Sequence, residues 1–355
     1  MRLGIVGTGR MASEVARAAT HVPGLEVSAV LSRSADRARE FCDRFAPKAQ
    51  AEQDMDAFLR AVDAVYVATP PDSHASCLNG AISRKVPVLC EKPLAPSASA
   101  CRDVLSRAQG EGVLVMEAIW TLALPAYRAL RDLVREKGGL GVGTQLFFDF
   151  SMPLIAAEDA HYFSPRQGGV LLDRAVYGYA AAISVNGPVR HQQAHVTRRA
   201  DGLDTSADLR LTHEEGGTSF ITLSFDRLGP NRLDVATGQG LAGVGPGSLA
   251  CEVLSWKAAD RSAPIAGHGE GGGLKARLRS MSLLRAIKAR APAGGRFMGY
   301  GASRFCPILI EFMRAVESGK AESDLVPHAL SQSIADLTQA ARQVAECTGG
   351  DGALE

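Results

Sequence analysis

Short apolar runs alternate with longer stretches of helical spacing through the first third of the chain. Residues 3–6, 25–31, 64–68, 86–90 and 113–116 are apolar and predict buried strands. Residues 11–19, 36–45, 54–61 and 97–109 predict helices between them, and 49–51 a short extra strand. Asp54 is placed to cap one helix, and Asp72 or Ser73 the helix that follows the stop at Thr69-Pro70-Pro71. Strands alternating with helices predict an α/β, doubly wound parallel sheet. Residues 122–137 then predict a bridging helix, 144–150 a strand and 170–177 part of a helix. Past Pro188 the pattern changes. Residues 191–199, 205–213, 218–225, 232–237 and 249–256 predict strands without intervening helices, hence an α+β domain with a largely antiparallel, open-faced sheet. Residues 303–317 and 329–347 predict closing helices. The expected division is 1–121 for the first domain and 122–355 for the second.

The first strand runs straight into Gly7-Thr8-Gly9-Arg10-Met11-Ala12. Two glycines between a strand and a helix start let backbone approach a pyrophosphate, whose charge the helix N-terminus attracts. Ala12 stands at the third glycine position, where a small residue still permits close packing. A turn that binds nothing is the bland alternative. The strand-then-helix setting makes this a Rossmann-type dinucleotide site. An acid at the tip of the second strand would bind ribose hydroxyls and favour NAD. The tip here is Ser32-Arg33-Ser34, which suits a 2′-phosphate and favours NADP, with NAD possible. Thr69-Pro70, Glu91-Lys92-Pro93 and Trp120 end further strands, so all fall along the same rim. His74 is grouped with these cofactor residues, but a helix-start histidine bonded to backbone is the preferred reading of it.

Charge and cysteines narrow the setting. The 355 residues carry 39 lysines and arginines against 38 aspartates and glutamates, so no global field points to nucleic acid or membrane. Seven cysteines form no C-x-x-C pair, which fits a reducing cytoplasm and argues against a zinc ribbon. The strand beginning near Met1 leaves no expected room for a signal peptide, and no apolar run is long enough to span a bilayer. His191 and His195 fall on a predicted strand and are discounted as metal ligands; no metal is expected. Residues 274–290 form a basic amphipathic stripe between glycine-rich stretches. A surface helix packed on its own domain is preferred there, with a lid or interface as the alternative.

Gly4-Ile5-Val6-Gly7-Thr8-Gly9, Ala68-Thr69-Pro70 and Glu91-Lys92-Pro93 together resemble the glucose–fructose oxidoreductase / inositol dehydrogenase (Gfo/Idh/MocA) family. Met116-Glu117-Ala118-Ile119-Trp120 resembles the branch holding dimeric dihydrodiol dehydrogenase and NADP-linked D-xylose dehydrogenases. The resemblance assigns Lys92 to cofactor and substrate. It covers Leu171-Leu172-Asp173 and Tyr177, making Tyr177 the proton donor or acceptor and Asp173 its neighbour. On a helix, residues 173 and 177 share a face. Arg174-Ala175 departs from the branch and bears on pocket shape. The reading that follows is hydride transfer between a nicotinamide and a hydroxyl carbon of a cyclic sugar, polyol or dihydrodiol. Tyr177 serves as acid/base beside Lys92, with the reverse assignment open, and Trp120 offers an aromatic face to the substrate. The resemblance also implies a homodimer or homotetramer through the open sheet. A redox-neutral lyase or hydrolase that retains NAD, and a non-catalytic cofactor-sensing protein, are the rival readings.

Overall fold

The computed structural model describes residues 1–138, 143–154, 160–164, 168–259 and 295–344. The basic stripe at 274–290 lies outside these residues. Strands β1 (Arg2–Val6), β2 (Glu26–Leu31), β3 (Gln50–Glu52), β4 (Ala64–Val67), β5 (Val88–Cys90) and β6 (Val115–Glu117) form one sheet, ordered β3-β2-β1-β4-β5-β6. Every pairing in it is parallel. The chain reverses its direction of winding between β1 and β4, which places the ligand crevice beyond their carboxyl ends.

Helices α1 (Arg10–Ala19), α2 (Ala35–Phe45), α3 (Met55–Arg60), α4 (Pro71–Ser83) and α5 (Ala98–Glu111) fill the crossovers. Burial on both faces accounts for the apolar strands: all four residues of β4 are buried. Ser34, Asp54 and Ser97 cap α2, α3 and α5 by accepting from backbone N–H groups. Helix α4 departs from expectation. Pro70 occupies its N-cap position without a side-chain bond, and the Ser73 hydroxyl donates to Pro70 O at 2.8 Å.

The expected helix over 122–137 is divided. A one-turn 3₁₀ segment, Trp120–Ala123, precedes α6 (Pro125–Glu136). Pro125 sits at the first turn of α6, where its missing N–H costs nothing.

The second sheet contains β7 (Gln145–Ser151), β8 (Val189–Arg198), β9 (Asp204–His213), β10 (Thr218–Ser224), β11 (Leu233–Thr237), β12 (Gly240–Gly245), β13 (Val253–Ala258) and β14 (Arg296–Phe297). Its order is β14-β13-β12-β11-β7-β10-β9-β8, antiparallel except for the β7–β10 pair. Strand β12 is absent from the sequence-based expectation because three of its six residues are glycine, a poor strand former. Space requires two of them. A Cβ on Gly240 would lie 2.3 Å from Lys257 O, and one on Gly243 2.4 Å from Asp234 Oδ1.

Helix α7 (Val170–Asn186) covers one face of this sheet. Gly178 lets it approach, since a Cβ there would stand 2.7 Å from Ile221 Cγ2. The other face presents Phe147, 42% exposed, stacked on Phe220 at 5.4 Å. The closing helices α8 (Cys306–Glu317) and α9 (His328–Gln343) return to the first sheet's helices. Arg102 pairs with Asp336 at 3.2 Å, and Gln339 accepts from Ala98 N at 3.1 Å. Helix α9 therefore lies between α5 and α7 and fixes α7 against the nucleotide sheet. No described helix is long and apolar enough to cross a membrane.

Candidate active site

The rim begins at the β1–α1 turn. Gly7 has φ +106°, and a Cβ there would press on Ala68 O at 2.7 Å, so only glycine fits. At Gly9 nothing lies within 4 Å of a Cβ, which leaves the turn open on its outer side. Helix α1 has no side-chain cap and no acid in its first turn, so its N-terminal N–H groups and positive dipole end remain available to an anion. Ala12 is fully buried and faces inward, while Thr8 and Met11 are partly exposed beside the turn. Arg10 is exposed and donates to the Tyr162 hydroxyl at 3.0 Å, linking the turn to the second sheet's connecting segment.

At the end of β2, the Ser32 hydroxyl accepts from Ser34 N at 3.3 Å and Arg33 is exposed. Ser34 spends its side-chain oxygen on capping α2. These residues and the glycine turn form a cradle that fits a dinucleotide: backbone approach at Gly7, an uncapped helix start for the pyrophosphate, and a guanidinium at the ribose end.

Three expected cofactor residues are engaged internally instead. His74 is fully buried. Its Nε2 faces Thr69 O at 2.8 Å, and its Nδ1 faces Pro93 O at 3.0 Å and Leu94 O at 3.3 Å. The ring ties the β4 and β5 tips together behind the rim and presents neither nitrogen to the crevice. Burial holds its pKa below the ordinary value, against the pull of the three carbonyls. Glu91 is also turned inward, accepting from the Tyr66 hydroxyl and from Lys92 N at 3.3 Å. Burial raises the pKa of its carboxyl. Trp120, expected to present an aromatic face, is 4% exposed and packs edge-on to Phe305 and Tyr177. Its indole N–H donates to the Tyr177 hydroxyl at 3.1 Å.

Thr69 and Pro70 remain on the rim, partly and fully exposed. After β5 the chain makes a cis peptide between Lys92 and Pro93. The Lys92 ammonium crosses to α7, donating to Asp173 Oδ1 at 2.7 Å and to Asp173 O at 2.8 Å. It stands 5.0 Å from the centre of the Tyr177 ring. The structure thus brings Lys92, Asp173 and Tyr177 into one cluster from two different sheets' elements. Burial works against the Lys92 charge, but Asp173, Tyr177 and Glu91 outweigh it and hold the ammonium above its ordinary pKa. Burial, with Glu91 and Asp173, holds the Tyr177 phenol above its ordinary pKa, while Lys92 and the Trp120 N–H pull against that rise.

Arg174 borders this cluster, its Nε 3.9 Å from Asp173 Oδ2. Its guanidinium is buried between Phe150 and Phe225, 4.3 and 4.5 Å from their ring centres, and donates to Ser224 O and to Phe150 O. Two residues to which the sequence assigned no role, Glu117 having entered only within the branch motif, support the site. Asp204, from β9, accepts from Leu171 N at 2.8 Å and so caps α7, whose own N-cap, Gly169, has no side chain. Glu117, at the end of β6, accepts from Leu94 N at 2.9 Å and anchors the loop beyond Lys92. No local signal marks either, because both act on backbone more than 20 residues away.

Residues 1–119 match a family described as an oxidoreductase family with an NAD-binding Rossmann fold. Mouse trans-1,2-dihydrobenzene-1,2-diol dehydrogenase is 30% identical over 252 residues, covering 69% of this chain and 74% of the mouse protein. The D-xylose 1-dehydrogenase (NADP(+)) 2 of Haloferax volcanii is 29% identical over 228 residues, covering 64% and 70% of the two chains. Among solved structures, a 3-ketoreductase from Actinomadura kijaniata in complex with NADP and TDP-benzene superimposes with a TM-score of 0.75. It is 23% identical, each chain covered to 98%, and shares the fold.

Proposed function

We propose, since the chain belongs to the Gfo/Idh/MocA family of NAD(P)-dependent oxidoreductases, that Tyr177 is its acid/base and Lys92 the cation beside it. The observation that carries this reading is the Lys92 ammonium held by Asp173 with the Tyr177 ring 5.0 Å away. When bound, the nicotinamide supplies the hydride acceptor or donor at the rim. The chain's own groups handle the proton. Oxidising an alcohol requires a base for the hydroxyl proton as the carbon gives up hydride. Lys92 is held protonated, so it orients and polarises the substrate oxygen while the phenolate of Tyr177 takes the proton. In the reverse direction the phenol returns it. Asp173 fixes the ammonium through two bonds at once, one from its carboxylate and one from its carbonyl.

NADP is the preferred cofactor in this reading, supported by Arg33 and the hydroxyl-bearing tip of β2, where no acid intervenes before Asp36. The substrate class is a pyranose, cyclic polyol or trans-dihydrodiol. Residues 1–121 serve the cofactor and 122–355 the substrate. Two copies associate through the open sheet face, which the exposed Phe147–Phe220 stack supports. The six described cysteines are unpaired and buried, in keeping with a cytoplasmic setting.

A panel of sugars and diols assayed with NADP and with NAD tests the reading. One class is expected to turn over, faster with NADP. Tyr177→Phe is expected to lose at least 100-fold in kcat while cofactor affinity stays within about twofold. Unchanged turnover in that variant overturns the assignment.

A further inference from the structure

We infer that the indole N–H of Trp120 sets the Tyr177 phenol for proton transfer by donating to its oxygen in a fixed direction. The inference rests on the reading of Tyr177 as acid/base. Among the described residues, Trp120 is the side chain that hydrogen-bonds this hydroxyl, at 3.1 Å. Lys92 does not take that place. Its ammonium lies against the ring, 5.0 Å from the centre, and its hydrogen bonds go to Asp173 at 2.7 Å. A phenolate at Tyr177 therefore faces the Lys92–Asp173 pair across its ring and accepts the indole N–H at its oxygen.

Indole nitrogen donates and cannot accept. The phenol hydrogen is thereby directed away from Trp120, toward the side of the oxygen that the acid/base reading gives to the substrate. Once the proton has left, the same N–H bonds an anion, and charge-assisted bonds are roughly twice as strong as neutral ones. The donor thus favours the ionised form more than the neutral one and offsets part of the burial that opposes ionisation.

The donor is also held in place. Trp120 opens the one-turn segment after β6, and its main-chain N bonds Ala118 O at 2.9 Å. Its ring rests on Phe305 at 5.4 Å, and the Arg304 guanidinium lies 5.2 Å from its centre. A cation on the π face draws density from the indole and makes its N–H a better donor. The charged and titratable groups around the phenol are Lys92, Glu91 and Asp173, with Arg174 3.9 Å beyond Asp173, Tyr66 and Tyr127 acting from further elements, and Arg304 across the indole. Of these, the cations Lys92, Arg174 and Arg304 favour the anion, and each acts through space or through Trp120 rather than by a bond to the phenol oxygen.

The test is the pH profile of kcat for alcohol oxidation, measured with Trp120→Phe, which keeps a ring on Phe305 and removes the N–H. The apparent pKa of the rising limb is expected to move up by about one unit, with kcat at neutral pH down roughly tenfold and converging on wild type at high pH. Cofactor affinity by fluorescence titration is expected to hold. The chain has two tryptophans, Trp120 and Trp256. Replacing both with 5-fluorotryptophan keeps every ring and makes the N–H more acidic, so the limb is expected to move to lower pH, which gives an independent readout if Trp120→Phe does not fold. Profiles that stay fixed on the pH axis in a folded variant and in the fluorinated protein overturn the inference about Trp120. If instead Tyr177→Phe retains turnover, the acid/base reading itself has failed. With both readings correct, Trp120→Phe changes nothing further in the Tyr177→Phe background.

Discussion

Replacing Glu117 with glutamine is expected to stabilise the protein above neutral pH and to leave it nearly unchanged in acid. Glu117 ends β6 at 3% exposure, below the rim. Burial pushes its carboxyl from an ordinary 4.5 up to about 7, against the pull of Ser331, the Leu94 amide and Lys92. A group whose folded pKa exceeds its unfolded one binds more protons in the native state. Its contribution is therefore most favourable below 4.5 and is lost as pH rises through about 7. At about 1.4 kcal/mol per pH unit, ionising the buried carboxyl costs the native state about 3 kcal/mol once the pH is well above 7. Between pH 5 and pH 8 the loss amounts to roughly 2.5 kcal/mol. Glutamine keeps an oxygen for the Leu94 N–H, 2.9 Å away in the wild type, and carries no charge to desolvate. Urea unfolding of both proteins at pH 5, 6, 7 and 8 measures the difference. The variant's advantage should grow with pH and level off above neutrality. Two stability curves that run parallel across this range would refute a buried, elevated carboxyl at this position.

Gly169→Ala is expected to cost about 2–4 kcal/mol in chemical denaturation, because φ is +102° and the new Cβ would lie 2.6 Å from Asp204 Oδ1, the oxygen that caps α7. Activity should fall with it, as α7 carries Asp173 and Tyr177; an unchanged midpoint would show that the Asp204 cap is dispensable. Phe147→Asp, on the open sheet face, is expected to reduce the mass of the species seen by light scattering while leaving the monomer's stability within about 0.5 kcal/mol. An unaltered assembly would place the interface elsewhere.

Legibility followed range. The strand–glycine–helix opening could be read because its pattern is local, although the atom that demands glycine at position 7 is Ala68 O, at the end of another strand. Alternating strands and helices also announced the parallel sheet, and four-residue spacing put Asp173 and Tyr177 on one face of α7. Lys92 entered through resemblance to a family, since 81 residues separate it from the carboxylate it pairs with. Residue type leaves open what burial decides. His74, Glu91 and Trp120 are chemically fit for a cofactor, yet packing behind the rim commits each of them to backbone or to a neighbouring side chain. Composition hid β12, whose glycines meet a close approach from β13 and from Asp234.

The sequence by itself determined the layered α/β start, the uncapped helix end that draws an anion, and the chemical inventory available for moving a proton. These depend on spacings of a few residues, which dihedral preferences and apolar periodicity control. Only the tertiary structure decided which of those side chains face the crevice and which are spent holding it together. It placed an indole donor on the phenol, a distant carboxylate at the start of α7, and an ammonium across the gap between the sheets. Such pairings depend on desolvation and distance, and both are set by how the layers close on one another.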